Sequence, residues 1–302
     1  MIFRGSAVAL ITPFDDNGKV DFEKLSELVE YHIENGTDAI VACGTTGEAS
    51  TLSDEEQLET IKYIVEKVNK RIPVIAGTGG NDTNHSIELS KKAEEYGADA
   101  LLIISPYYNK ANKSGLRKHF VTIAENVNLP IILYNVPSRT GVNIPPSLVA
   151  DLARNVENIV AIKEACGDLA QVTEICRLVP EGFAVYSGND DSILPLLSVG
   201  GSGVISVLAN ICPQETHDLV AKFHDGDIEG SRKLQLGMKA LIDALFIEVN
   251  PVPVKTAMNL LGFNVGDLRL PLSEMQENNI EVLKQELINW GFELKGLTSL
   301  EF

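Results

Sequence analysis

Eight short apolar runs, each followed by small or polar residues, constrain the fold of this chain most strongly. Each run is four or five residues long and rich in Val, Ile, Leu or Ala. That length and composition favour strands that are buried on both faces. The runs cover residues 7–11, 39–43, 73–76, 101–104, 130–134, 159–162, 183–186 and 204–207.

Segments with helical spacing separate these runs. Apolar side chains recur on one face over residues 22–34, 54–69 and 84–96, and Ser53 followed by Glu56 predicts a capping box. Strands that alternate with helices eight times predict a closed (β/α)8 barrel, the TIM barrel. A doubly wound open sheet is the alternative, but its glycine fingerprint does not follow the first run.

The strand pattern stops after Asn210, and only helical patterns follow. They cover residues 213–223, 228–248, 252–261 and 274–290. We therefore expect an α/β protein with a catalytic barrel at residues 1–224 and a C-terminal helical domain at 225–302. No run approaches the ~18 apolar residues of a transmembrane helix, so we expect no membrane span.

Charge and cysteine content narrow the functional class. With 25 Lys and Arg against 42 Asp and Glu, the net charge is −17, which argues against binding nucleic acid or an anionic membrane surface. The N-terminal apolar run predicts a strand and not a signal peptide. The four cysteines form no CxxC pair, so we expect free thiols in a cytoplasmic protein and no zinc site; they are Cys43, Cys166, Cys176 and Cys212.

A barrel of this kind places its active site at the C-terminal ends of the strands. Lys163 lies at the end of the sixth strand, where it pairs with Glu164, extends to the barrel mouth, or is a desolvated amine able to form a Schiff base with a carbonyl substrate. Tyr134 ends the fifth run, either as a core tyrosine or as a proton relay beside the lysine.

Three further strand ends offer groups for binding and catalysis. The turn 44–48, GTTGE, either presents N–H groups to an anion or caps the next helix. Arg139 is a surface arginine or a carboxylate clamp, and of Tyr107 and Tyr108 one is expected to face the site and the other an interface. The other strand-end candidates are 77–81, Asn135, 187–190, Ile205 and Ser206. The histidines lack metal-ligand spacing and no phosphate loop is present, so we expect neither metal nor cofactor.

The motifs at these strand ends match a known family in their order. GTTGEASTL, IAGTGGN, SPYYNK, YNVPSRTG, AIKEA, SGND and NPVPVK occur between Gly5 and Gly262. Together they resemble the 4-hydroxy-tetrahydrodipicolinate synthase (dihydrodipicolinate synthase) family, one of the pyruvate-dependent class I aldolases, which also include N-acetylneuraminate lyase. GTTGE is common to that wider group, whereas VPSRTG is more discriminating.

The resemblance implies a lyase of lysine biosynthesis by the diaminopimelate route. It would condense pyruvate with L-aspartate 4-semialdehyde, with no metal or organic cofactor. Lys163 would form the imine with pyruvate, and the proton relay would be Tyr134, Thr45 and Tyr108. Substrate would be bound by Thr46 at the pyruvate carboxylate, Arg139 at the semialdehyde carboxylate, and Gly188, Ile205 and Asn250 along the pocket wall.

The resemblance also implies a homotetramer, a dimer of dimers, in which Tyr108 reaches into a neighbouring subunit. Family members that are inhibited by lysine carry Glu where this chain has His85 and often His where it has Gln57, so we expect weak or absent lysine feedback. Two rival functions remain: another pyruvate-dependent aldolase acting on a sugar acid, and a non-catalytic barrel that senses pyruvate or a related acid.

Overall fold

The fold is a closed barrel of eight parallel strands, which confirms the (β/α)8 prediction. A computed structural model describes residues 1–295. Each strand pairs with the next along the chain, and β8 pairs with β1 to close the barrel. The strands are Gly5–Ala9 (β1), Ala39–Ala42 (β2), Val74–Gly77 (β3), Ala100–Ile104 (β4), Ile131–Asn135 (β5), Ile159–Glu164 (β6), Ala184–Ser187 (β7) and Gly203–Ser206 (β8).

Alternate residues of each strand belong to two separate apolar clusters. Ala7, Val41 and Ile132 lie in one cluster, whereas their neighbours Val8, Ile40 and Ile131 lie in the other, together with helix residues. Because successive side chains of a strand point to opposite faces, the first cluster fills the barrel interior and the second lies between barrel and helices. This two-sided burial explains why the strands read as continuous apolar runs.

The helices around the barrel lie close to their predicted positions. The predicted capping box forms at α2, where the Ser53 hydroxyl accepts from Glu56 N and Ser53 N donates to the Glu56 carboxylate. The helices are Phe22–Glu34 (α1), Asp54–Val68 (α2), Thr83–Glu95 (α3), Lys113–Ala124 (α4), Pro137–Thr140 (α5), Pro146–Asn155 (α6), Leu169–Leu178 (α7), Ile193–Ser198 (α8) and Pro213–His224 (α9).

Four more helices follow the barrel: Ile228–Gly237 (α10), Lys239–Leu245 (α11), Val252–Leu260 (α12) and Glu277–Trp290 (α13). The prediction of one helix over 228–248 was wrong. The helix breaks after Gly237, a poor helix former, and Met238 has a ψ near −5°. The division into domains at residue 224 stays a prediction. Within residues 1–295 we find no helix with the length and apolar character needed to span a membrane.

Buried His32 makes the fold sensitive to acid. It lies in α1 with no exposed surface, and its Nδ1 is 3.1 Å from Thr37 Oγ1. Burial lowers the pKa of His32 from 6.5 to about 3. Below pH 6.5 the unfolded chain therefore binds a proton that the folded chain excludes until about pH 3, so stability is lost as the pH falls through this window.

Replacing His32 by Asn, which does not ionise, should reduce this pH dependence. Protonation of one unfolded-state histidine between pH 7 and pH 5 lowers the free energy of unfolding by about 2 kcal/mol. In guanidinium titrations we expect wild type to lose about that much more than His32→Asn. His217→Asn is the opposite case: Asp38 raises the pKa of His217, so this variant should lose more stability than wild type as the pH falls. The same pH dependence in wild type and His32→Asn would contradict this account.

Candidate active site

Lys163 lies in β6 with its side chain directed into the barrel. It shares a strand face with Ala161, a residue of the interior cluster, and only 5% of its surface is exposed. Its Cα is in register with Tyr134 of β5 on one side and Tyr186 of β7 on the other. The lysine therefore lies near the end of the sixth strand, as predicted, and it is buried.

Tyr134 lies beside Lys163, as the candidate relay requires. The Lys163 Nζ is 4.5 Å from the centroid of the Tyr134 ring, a cation–π distance. Tyr134 is itself buried and belongs to the interior cluster. Neighbouring strand ends have thus brought an amine and a phenol together inside the barrel.

Glu164 does not pair with Lys163, which removes the simplest structural explanation for the lysine. Its carboxylate accepts from Asn135 Nδ2 at 2.9 Å, from Cys166 N at 2.9 Å and from Gln171 Nε2 at 3.1 Å. Burial raises the pKa of Glu164 even though these bonds oppose the shift. Consecutive strand residues point to opposite faces, so Glu164 lies outside the barrel wall and Lys163 inside.

Asn250 joins the GTTGE turn to the loop after β5. Its side-chain Nδ2 donates to Thr46 Oγ1 at 3.0 Å, and its backbone carbonyl accepts from Arg139 Nη2 at 2.9 Å. Within residues 1–295 no protein acceptor bonds the backbone N–H of Thr45 or Thr46. Free N–H groups in a tight turn are suited to binding an anion such as a carboxylate.

A cavity of about 470 Å³ opens at this end of the barrel. Its lining includes Thr45, Tyr134, Arg139 and Tyr107. The phenol, the turn and the guanidinium therefore share one space, which has room for a small acid.

Gly188 and Ile205 lie in the wall around the lysine. A Cβ on Gly188 would lie 2.6 Å from Ala165 Cβ and 3.1 Å from Lys163 Cε, so a larger residue would clash with Ala165 and crowd the lysine side chain. Ile205 of β8 is fully buried in the interior cluster. Both residues thus shape the space next to Lys163.

Tyr108 is not brought to this site within the chain. It is 90% exposed and has a φ of +71°, whereas its neighbour Tyr107 lines the cavity. The two tyrosines therefore differ in their surroundings, and which of them faces an interface stays a prediction. The contact of Tyr108 with another subunit stays a prediction.

Asp190, one of the strand-end candidates, is buried. Its Oδ2 accepts from Val207 N and Leu208 N, and burial raises its pKa, a shift that Lys163 opposes. The available signal was its place just after β7. Among residues 1–295 no group of three His, Cys, Asp or Glu side chains has the geometry to hold a metal ion.

Together these groups can activate a keto acid. A buried amine adds to a ketone carbon and forms an imine, which is an electron sink for loss of an adjacent proton. A phenol next to the amine can transfer protons, and the turn and the guanidinium offer two separate carboxylate sites. The geometry is therefore that of a Schiff-base site for acid substrates.

Comparison with known proteins assigns the chain to one family. Residues 2–289 match the model of the dihydrodipicolinate synthetase family. The chain is 60% identical over 290 residues to the 4-hydroxy-tetrahydrodipicolinate synthase of Acetivibrio thermocellus, covering 96% of this chain and 98% of the relative.

Solved structures agree with this match. One is the chloride-inhibited dihydrodipicolinate synthase of Acinetobacter baumannii with pyruvate, at a TM-score of 0.94 and 45% identity over 97% of this chain and all of that one. Another is described as the first monomeric dihydrodipicolinate synthase variant, at a TM-score of 0.95 and 41% identity over 97% of this chain and 98% of that one. The chain therefore belongs to the dihydrodipicolinate synthetase family.

Proposed function

We propose that the chain condenses pyruvate with L-aspartate 4-semialdehyde, the 4-hydroxy-tetrahydrodipicolinate synthase reaction of the diaminopimelate route to lysine. The observation that supports this most directly is the buried Lys163 amine beside the Tyr134 ring, at a Nζ-to-centroid distance of 4.5 Å. Relatives with this named activity match nearly the whole chain, and a solved neighbour contains pyruvate.

The proposed reaction starts at Lys163. Its amine adds to the ketone carbon of pyruvate and water leaves, giving an iminium. Loss of a methyl proton gives an enamine, whose carbon attacks the aldehyde of the second substrate. The amine of that substrate then attacks the imine carbon, which closes the ring and releases Lys163. Tyr134, with Thr45 and Tyr108, transfers the protons.

Each of the two substrates carries a carboxylate, and the site offers one position for each: the N–H groups of the GTTGE turn and the guanidinium of Arg139. The turn with Thr46 would bind the pyruvate carboxylate, because the N–H groups of Thr45 and Thr46 have no acceptor among residues 1–295 and Thr45 lines the cavity. Arg139 would bind the carboxylate of the semialdehyde through its guanidinium fork. Gly188, Ile205 and Asn250 would complete the wall. In a chain with a net charge of −17, such local donors are needed to attract anionic substrates.

Two rival functions are disfavoured by particular residues. An aldolase for sugar acids would need hydroxyl-matching groups along a neutral chain, whereas Arg139 lies in the cavity wall. A pyruvate sensor would need the anion site but no amine and phenol pair. Lys163 and Tyr134 are both present and adjacent, which favours an enzyme.

We further propose a cytoplasmic homotetramer built from two dimers. Tyr108 is 90% exposed on a loop near the cavity, which suits a side chain that completes a neighbour's site. Because a monomeric variant occurs among the solved relatives, the number of subunits has to be measured for this chain. All four cysteines are free, as suits a reducing compartment.

The proposed function predicts turnover that needs both substrates. Purified protein should consume pyruvate only when L-aspartate 4-semialdehyde is present, and Lys163→Ala should abolish this. Arg139→Leu should lower kcat/KM for the semialdehyde by about 100-fold, equivalent to about 3 kcal/mol, because a charge-assisted carboxylate contact is lost. Pyruvate that is bound to Lys163 while the semialdehyde is ignored would favour the sugar-acid aldolase instead.

Subunit mixing tests the role of Tyr108. Tyr108→Phe and Lys163→Ala should each be nearly inactive as homo-oligomers. Co-expressed with different tags and purified as mixed dimers, they should regain activity, because one site then combines Lys163 of one subunit with Tyr108 of the other. Mixed dimers no more active than their parents, or a fully active Tyr108→Phe, would count against a relay across the interface.

Lysine feedback is predicted to be weak because the expected acidic partner for a ligand ammonium is replaced. His85 Nε2 lies 2.9 Å from both carboxylate oxygens of Asp54, and Gln57 Nε2 donates to Gly77 O. A lysine titration should show little inhibition at sub-millimolar concentration, and His85→Glu should strengthen it. Strong sub-millimolar inhibition of wild type would refute the prediction.

A further inference from the structure

A second buried lysine lies outside the proposed chemistry. The Nζ of Lys255, in α12, is 2.9 Å from Glu48 Oε1, and both side chains are 1% exposed. The two residues are 207 positions apart and join the helices after the barrel to the last residue of the GTTGE turn. Buried ion pairs are weak evidence of stability, since apolar residues often replace them without loss. The pair therefore calls for a role beyond stability.

Every polar atom of this pair is occupied. The Lys255 ammonium also donates to Thr12 O at 3.1 Å and to Asp267 O at 2.8 Å, and it lies 4.3 Å from the centroid of the Phe14 ring. The second oxygen of Glu48 accepts from Arg269 N at 3.1 Å. Burial lowers the pKa of Lys255, and Glu48 opposes that shift. With all its donors used, the lysine has no free position for a substrate.

The contacts enclose the turn on its outer side. Glu48 has a φ of +54°, a left-handed conformation that is uncommon for a residue other than glycine, and its N–H donates to Thr45 O at 3.1 Å. Thr12, whose carbonyl Lys255 binds, donates through its hydroxyl to Gly47 O at 2.7 Å. Lys255 thus holds Glu48 directly and holds Gly47 through Thr12.

The same segment also holds the turn at Thr46. Asn250, five positions before Lys255, donates to Thr46 Oγ1. Residues 250–255 therefore contact the turn at two of its five residues, Thr46 and Glu48. A shift of the turn would move the free N–H groups of Thr45 and Thr46 away from a bound carboxylate.

We propose that Lys255 and Glu48 are positioning residues for the pyruvate carboxylate, acting through the GTTGE turn and not by touching substrate. This inference rests on the proposed function for the identity of the acid. It predicts a selective effect: pyruvate binding weakens, while Lys163 stays able to form the imine and Arg139 stays able to bind the semialdehyde.

The test compares Glu48→Gln and Lys255→Met with matched changes in an exposed ion pair, Asp243→Asn and Lys239→Met. Borohydride trapping at increasing pyruvate concentration measures imine formation, and steady-state kinetics measures KM for each substrate. We expect Glu48→Gln and Lys255→Met each to need at least about tenfold more pyruvate than wild type for half-maximal trapping. Both should still be trapped fully at saturating pyruvate. In the pair variants, KM for the semialdehyde should stay within about twofold of wild type. In the two control variants, both KM values and the trapping curve should stay within the same range.

Three results would overturn the inference: unchanged pyruvate dependence in folded pair variants, equal rises in KM for both substrates, or loss of folding in both variants. The last would make the pair a structural support. Glu48→Gln keeps the size of the side chain, so it is the variant more apt to fold. If wild type traps pyruvate but never consumes the semialdehyde, the proposed function fails, while the trapping curves still decide the role of the pair.

Discussion

Closure of the barrel is the constraint on which the rest of the structure depends. β8 pairs with β1 over Gly5 to Val8, and a Cβ on Gly203 would lie 2.0 Å from Gly5 O, so closure needs glycine at this contact. Once the ring is closed with all strands parallel, every C-terminal strand end lies at one rim. Alternation along each strand then sends every second side chain inward. Lys163 is buried in the barrel for this reason, while Glu164 is bonded outside it.

The chemistry of the site depends on which charged side chains are paired and which are left free. Glu164 accepts hydrogen bonds from three residues on the outer face, so it does not neutralise the lysine on the inner face. Asn250 and Lys255, from the region after the barrel, hold the turn and the arginine loop. The helices after the barrel therefore contribute to the shape of the site, and the barrel alone does not complete it. In this acidic protein, the N–H groups of the turn and the Arg139 guanidinium are thereby held at the rim where anionic substrates would bind.

The sequence allowed the barrel, its eight strands and the strand-end residues to be predicted, because burial on both faces and glycine turns leave strong local signals. It also indicated Lys163, Tyr134 and Arg139, whose residue types are unusual at such positions. It did not reveal the pairing of Glu48 with Lys255, since contacts between residues 207 positions apart leave no local pattern. The break after Gly237 was missed because a single glycine within a helical pattern does not by itself mark the end of a helix. The contacts of Asp190 with Val207 and Leu208 were not predicted either, because they too leave no local pattern.

The most direct test of the central claim is to locate the amine that binds pyruvate. Protein incubated with pyruvate and reduced with borohydride would be digested, and the modified peptide identified by mass spectrometry. Residues 1–295 contain two buried lysines, Lys163 and Lys255, and the account predicts an adduct on Lys163, adjacent to the Tyr134 ring, and none on Lys255. An adduct on Lys255, or no adduct in folded protein, would contradict the assignment of the barrel interior as the reaction site.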